Sequence, residues 1–204
     1  AGTGMLWVGW YGFNGGSALA ANADAAAAIA CTHMAASTAG LTWVAIEWIK
    51  FKRPSLVGLV TGAVAGLATV TPASGFIGVA GASVLGVLAS IVCFCMVQIV
   101  RKRLKIDDAL DVFAVHGVGG IFGTLAVAVL ASPDLGGTGY GESDMGEQVV
   151  TQIIAVAATI AWSAVATGLI IALVRAITGG LRAKPEHIEI GLDLSEHGER
   201  AFTP

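Results

Sequence analysis

Charge is what this chain has least of. Between positions 54 and 100 there is no Asp, Glu, Lys, Arg or His, and charged residues make up 12% of the 204, against roughly 25% in an average soluble domain. That shortage excludes a protein with an ordinary solvated surface, and no nucleic acid is expected as a partner. Cysteine is scarce as well. Cys31, Cys93 and Cys95 all fall in apolar runs, and Cys93 and Cys95 lack the second ligand pair of a zinc site. They read as small buried hydrophobes, with no disulfide framework and no metal or cofactor implied. The opening run from Ala1 has neither the basic n-region nor the small-residue cleavage site of a signal peptide, and the expectation is that more chain precedes it.

What the chain does have is apolar length. Hydrophobic residues make up 55% and the mean hydropathy is +0.80, which predicts an all-α integral membrane protein. The 28 glycines sit inside apolar runs rather than in linkers, as in tightly packed transmembrane helices. Breaks divide the sequence into six predicted spans, at about 3–23, 25–48, 55–71, 76–100, 111–131 and 147–176. Residues 1–178 are thus the membrane domain and 179–204 a cytoplasmic tail. Pro54 permits a fresh helix start, Thr71-Pro72-Ala-Ser-Gly75 supplies a turn, and Asp107, Asp108 and Asp111 suit the N-terminal end of the fifth span.

The basic residues orient these spans. All 11 Lys and Arg fall at 50, 52 and 53, at 101, 102, 103 and 105, and at 175, 182, 184 and 200, three places separated by pairs of spans. They share one side, and positive residues mark it as cytoplasmic, with both ends of the chain there. His116 is then the conspicuous residue. It is the sole ionisable side chain in positions 112–131, several residues deep, and a group that costly to bury is a functional candidate by default. As a rival membrane enzyme, His116 with Asp108 and Asp111 could hold a metal, but spacings of five and eight do not bring all three to one helical face. Read from the residues alone, Trp10 and Phe13 could be packing or interface aromatics and Ser17 a helix-backbone hydroxyl. His33 reads as a packing histidine, and His187 and His197 as solvated or docked against loops.

Four motifs carry a resemblance. The runs Leu6-Trp-Val-Gly-Trp10-Tyr-Gly-Phe13-Asn14-Gly-Gly-Ser17, Thr71-Pro72-Ala-Ser-Gly75-Phe-Ile-Gly78, Asp107-Asp108 through Asp111-Val-Phe-Ala-Val-His116-Gly-Val-Gly-Gly, and Gly191-Leu-Asp193-Leu-Ser-Glu-His197-Gly-Glu resemble the ammonium transporter family, which includes methylammonium permeases and Rhesus proteins. The tail points to the ammonium transporter branch. The resemblance implies a trimer of 11-span subunits in the cell membrane, each with its own pore, built from two inverted five-span halves and a final helix. This chain looks like spans six to eleven, with the N-terminal five-helix half absent.

The resemblance further implies that Phe13 would be one of two stacked gate phenylalanines, Ser17 a hydroxyl of the external recruitment site, Trp10 a lower-pore residue, His116 the second of two pore histidines, and Asp108 a residue near the inner end. The tail, with Gly191, Asp193, His197 and Gly198, would carry signals between subunits, and PII-type signal proteins would bind the cytoplasmic face. Ile188, Ile190, Leu192 and Leu194 alternate with charge in the tail, a pattern expected to dock on the basic loop at 101–108. The activity implied is transport of ammonium or ammonia, not enzymatic turnover. A non-conducting membrane sensor or interaction protein is the alternative.

Overall fold

The computed structural model describes residues 1–200. It is helical throughout, with no strand among the described residues. The helices are α1 (Gly2–Gly16), α2 (Ala23–Phe51), α3 (Leu56–Val70), α4 (Val79–Gln98), α5 (Val118–Leu130), α6 (Met145–Thr178) and α7 (Pro185–Ile190). A π-helical segment, Ile99–Leu104, extends α4, and a second, Phe113–Gly117, leads into α5.

Local chemistry sets the boundaries. Asn22 accepts the amide of Ala25 at 3.0 Å and so starts α2, with Asp24 in its first turn and Lys50 in its last, the signs that the helix dipole favours. α1 stops at Gly16 and Leu19 turns left-handed at φ 56 before the extended Asn22, so the helix ends short of the expected 23. Ser55 caps α3 by accepting the amide of Gly58 at 2.8 Å. Glu47 of α2 takes the amide of Ser55 at 2.7 Å, closing the turn around Pro54 from the other side. Asp144 starts α6 by accepting the amide of Glu147 at 2.9 Å.

Among the described residues four helices are long and apolar enough to cross a membrane: Ala23–Phe51, Val79–Leu104, Phe113–Leu130 and Met145–Thr178. α1 and α3 have 15 residues each, about 22 Å of helix, less than the ~30 Å hydrocarbon core.

The chain divides into two compact units, Ala1–Val156 and the residues from Ala157 onward. In the first, α2 packs against α1, α3 and α4, and α5 against α3 and α4. Backbones approach closely where glycine leaves room. A Cβ on Gly66 of α3 or on Gly86 of α4 would strike the same atom, the carbonyl oxygen of Ala35 on α2, and one on Gly123 of α5 would strike the carbonyl of Thr69. Small residues thus let helices meet without side chains between them. One buried cluster gathers Cys31, Ala35, Val70, Leu85 and Val127, and another gathers Trp43, Cys93, Phe94, Val97 and Val115. Cys31 and Cys93 are buried as expected, but Cys95 is exposed. Two positions along a helix turn about 200°, so Cys95 faces away from the core that Cys93 enters.

Candidate functional site

Three of the residues singled out in the sequence come together on one flank of the first unit. The Trp10 indole of α1 and the His116 imidazole stack with centroids 6.2 Å apart and planes 16° from parallel. Phe13, one turn on, meets Trp10 edge to face at 6.3 Å and 69°. Trp10 is half-buried, whereas Phe13 and His116 are exposed. With Gly2, Met5, Leu6 and Gly9, Trp10 and Phe13 line an open apolar hollow of about 600 Å³.

The indole is fixed from behind. Its Nε1–H donates to Thr71 Oγ1 at 2.8 Å, and the Thr71 hydroxyl donates in turn to the Leu67 carbonyl at 2.7 Å. Thr71 was legible in the sequence as part of a turn but not as the partner of Trp10, because nothing in a linear pattern relates positions 61 apart.

His116 occupies an unusual backbone. Phe113–Gly117 is π-helical, and the amide of Val118 is shared between the carbonyls of Phe113 and Val115. Such single turns inside α-helices recur at functional sites. Asp108 stands apart from the aromatic group, at the head of this helix. Its Oδ1 accepts the amide of Val112 at 2.8 Å and its Oδ2 that of Ala114 at 3.1 Å, the N-terminal role its position suggested. Asp111 instead pairs with Arg101 at 2.7 Å. Asp108, Asp111 and His116 are thus engaged in three separate contacts, and among the described residues no group of three or more His, Cys, Asp or Glu is placed to hold a metal ion.

Ser17 closes α1, its hydroxyl donating to the Phe13 carbonyl at 2.9 Å. Asn14, between these residues in sequence, is buried and donates to Thr32 Oγ1 at 2.9 Å, which pins this end of α1 to α2. His33 faces another flank, its Nδ1 2.6 Å from the Tyr11 hydroxyl and its ring 5.7 Å from that of Trp7. It packs against these two half-buried rings while itself exposed, so it is a packing histidine at the surface of the first unit.

The tail residues lie in the second unit. Gly191 and Gly198 have φ of 96 and 66, values glycine adopts without strain. Between them Asp193–His197 forms a π-helical turn, closed by the Gly198 amide on the carbonyls of Asp193 and Leu194. The alternation of Ile188 and Ile190 belongs to α7, not to an extended segment, because Pro185 at its first turn favours a helix start. The His187 imidazole bonds the Glu196 carboxylate, and that hydrogen bond, with the imidazole's charge, holds Glu196 below the usual carboxylate range.

Residues 1–202 match the Ammonium Transporter Family. The chain is 46% identical to "Ammonium transporter Amt1" of Archaeoglobus fulgidus, over 99% of this chain and 51% of that protein. It is also 46% identical to "Ammonium transporter" of Aquifex aeolicus, over 98% and 47%. Among solved structures it superposes on a "Sensor Amt Protein" with a TM-score of 0.86 and 33% identity, over 96% of this chain and 47% of that one. On Mep2 of Saccharomyces cerevisiae the TM-score is 0.81 at 34% identity, over 91% and 43%. The chain spans about half the length of these relatives.

Proposed function

From the premise that this chain belongs to the ammonium transporter family, we propose that it supplies the second half of a histidine-lined pore for ammonium or ammonia in the cytoplasmic membrane. The stack of Trp10 on His116, with Phe13 beside it on an exposed flank, is the observation that carries the reading. Ammonium is a hydrated cation that an apolar passage rejects, and aromatic faces can hold it while water is stripped. A neutral imidazole then accepts its proton or bonds ammonia. Potassium, having no proton, gains nothing from that step.

In this reading residues 1–178 form six spans, α1 and α3 included, equivalent to spans six to eleven of the inverted-repeat fold, and the flank bearing Trp10, Phe13 and His116 faces the other half. Ser17 stands at the external mouth and Asp108 at the inner end. Both ends of the chain are cytoplasmic, subunits form a trimer, and the tail at 179–204, with Gly191, Asp193, His197 and Gly198, meets a PII-type signal protein. Support comes from the clustering of every Lys and Arg into three segments.

Uptake of radiolabelled methylammonium tests this. Cells expressing the 204 residues alone take up none. Paired with the half of the Archaeoglobus fulgidus relative that this chain does not match, the chain supports uptake that His116→Ala lowers or abolishes while the trimer persists. Unchanged uptake and unchanged selectivity against potassium in that variant would remove His116 from the pore. A sensor role is the second reading, favoured by the likeness to the "Sensor Amt Protein". It requires ammonium binding to the paired halves without methylammonium flux in proteoliposomes.

A further inference from the structure

We propose that Arg101 and Asp111 are positioning residues for His116, holding the π-helical turn at the angle that lays the imidazole on Trp10. Asp111 is the last residue before that helix begins, and its backbone is left-handed, with φ 55, a conformation that Asp tolerates better than most L-residues yet seldom adopts unaided. Two bonds transmit its placement. Its amide donates to the Asp108 carbonyl at 3.1 Å, and its carbonyl accepts the Val115 amide at 2.8 Å, one residue before His116. Whatever orients Asp111 therefore orients the first turn from which His116 projects.

The carboxylate supplies the reason Arg101 matters. Asp111 Oδ2 accepts from Arg101 Nη2 at 2.7 Å, while Oδ1 is buried with no partner. Arg101 is then the sole side-chain partner given to this carboxylate among the described residues, and the same nitrogen also reaches the Ala109 carbonyl at 3.4 Å. Without the guanidinium both oxygens are unpaired in a half-closed site, and the cheapest relief is to rotate Asp111 toward water. Because the left-handed backbone of Asp111 is itself unfavourable, that turn is made in the main chain and carries the bond from the Asp111 carbonyl to the Val115 amide, and the imidazole, with it. Two of the three carboxylates of this loop have separate tasks. Asp108 holds amides of the helix end, and Asp111 sets the turn's direction through a cation on the preceding span. A basic residue of the loop is in this way tied to the aromatic stack.

The consequence for transport rests on the pore reading above, but the geometry does not, and the experiment separates them. In the full chain with labelled histidine, assigned by His116→Ala, the indole's ring current displaces the His116 ring-proton resonance upfield. Arg101→Gln and Asp111→Gly abolish that displacement, while Arg101→Lys and Asp111→Asn, which keep a cation and an acceptor oxygen, retain most of it. In the paired-half transporter Arg101→Gln lowers methylammonium uptake by roughly tenfold, as expected for a misplaced reacting group, and Arg101→Lys restores it. A folded Arg101→Gln protein with the His116 resonance in place overturns the proposal. So does a pair of variants, Arg101→Gln and Arg101→Lys, that both fail to fold, which would make the pair a folding element. If His116→Ala leaves uptake intact while Arg101→Gln still moves the resonance, the pore reading fails and the positioning stands.

Discussion

α2 and α6 are the two longest helices, 29 and 34 residues, and they are packed in opposite ways. α2 buries Ala28, Cys31, Thr32, Ala35, Ala36, Ala39, Gly40 and Trp43, at spacings of three and four that make one continuous stripe. α6 buries none of its residues, although Ile153, Ile154, Trp162, Val165, Leu169 and Ile170 are among its side chains. In a soluble protein the more apolar helix is the inner one. Here the helix packed on its neighbours in the first unit is the one built from small residues, because lipid is as apolar as leucine and close backbone approach, not hydrophobicity, is what packing between spans selects.

The contrast can be broken most sharply at tryptophan. Trp43, 4% exposed in α2, fills the space beside Phe94, whereas Trp162 of α6 is 76% exposed. Trp43→Ala is expected to destabilise the chain by about 3–5 kcal/mol and Trp162→Ala by less than about 0.5 kcal/mol, read by thermal unfolding in one detergent. Equal losses would erase the distinction between the two helices. Glycine gives the next largest effect. Gly86 faces the Ala35 carbonyl and nothing lies within 4 Å of a Cβ at Gly168, so Gly86→Val costs about 1–3 kcal/mol while Gly168→Ala gains up to about 1 kcal/mol from helix propensity.

A smaller effect tests the polar side of the α2 stripe. Ser90 of α4 is fully buried and donates to the Ala39 carbonyl, and Ser90→Ala should cost about 1 kcal/mol, with the drop in melting temperature as the readout. The smallest lies beyond α6, in the tail. Since the folded state holds Glu196 below its ordinary range, the pair with His187 adds stability above about pH 4.3 that is lost as pH falls through the lowered value. Hydrogen exchange of the amides at 193–199 should quicken across that fall, and Glu196→Gln should remove the pH dependence.

Much of the architecture was readable in the residues, and the reason is chemical. Asp24, Lys50, Pro54 and Asp108 act within a few positions of where they stand, so these helix ends follow from local sequence, whereas the caps at Asn22 and Ser55 appeared only in the structure. Family membership was legible in four motifs for the same reason. What escaped the sequence was everything joining distant positions: Thr71 beneath Trp10, Arg101 against Asp111, Ala35 meeting two glycines at once, His33 on an exposed flank. The left-handed Asp111 and the π-helical turn after it were also hidden, since Asp-Val-Phe-Ala-Val-His carries no glycine or proline to announce either. His116 stood out by its depth in an apolar run and Trp10 and Phe13 through the resemblance, but the exposed setting of Phe13 and His116 emerged only in the structure.

The hydroxyl of Ser17 has a single proton, and that proton is directed inward to the Phe13 carbonyl. What remains outward is electron density without a donor. An approaching anion finds no hydrogen to accept there, while a species rich in N–H bonds, or a bare cation, finds a lone pair already turned toward it. The end of α1 thus presents an acceptor and no donor at this position, on an uncharged side chain whose character does not change with pH.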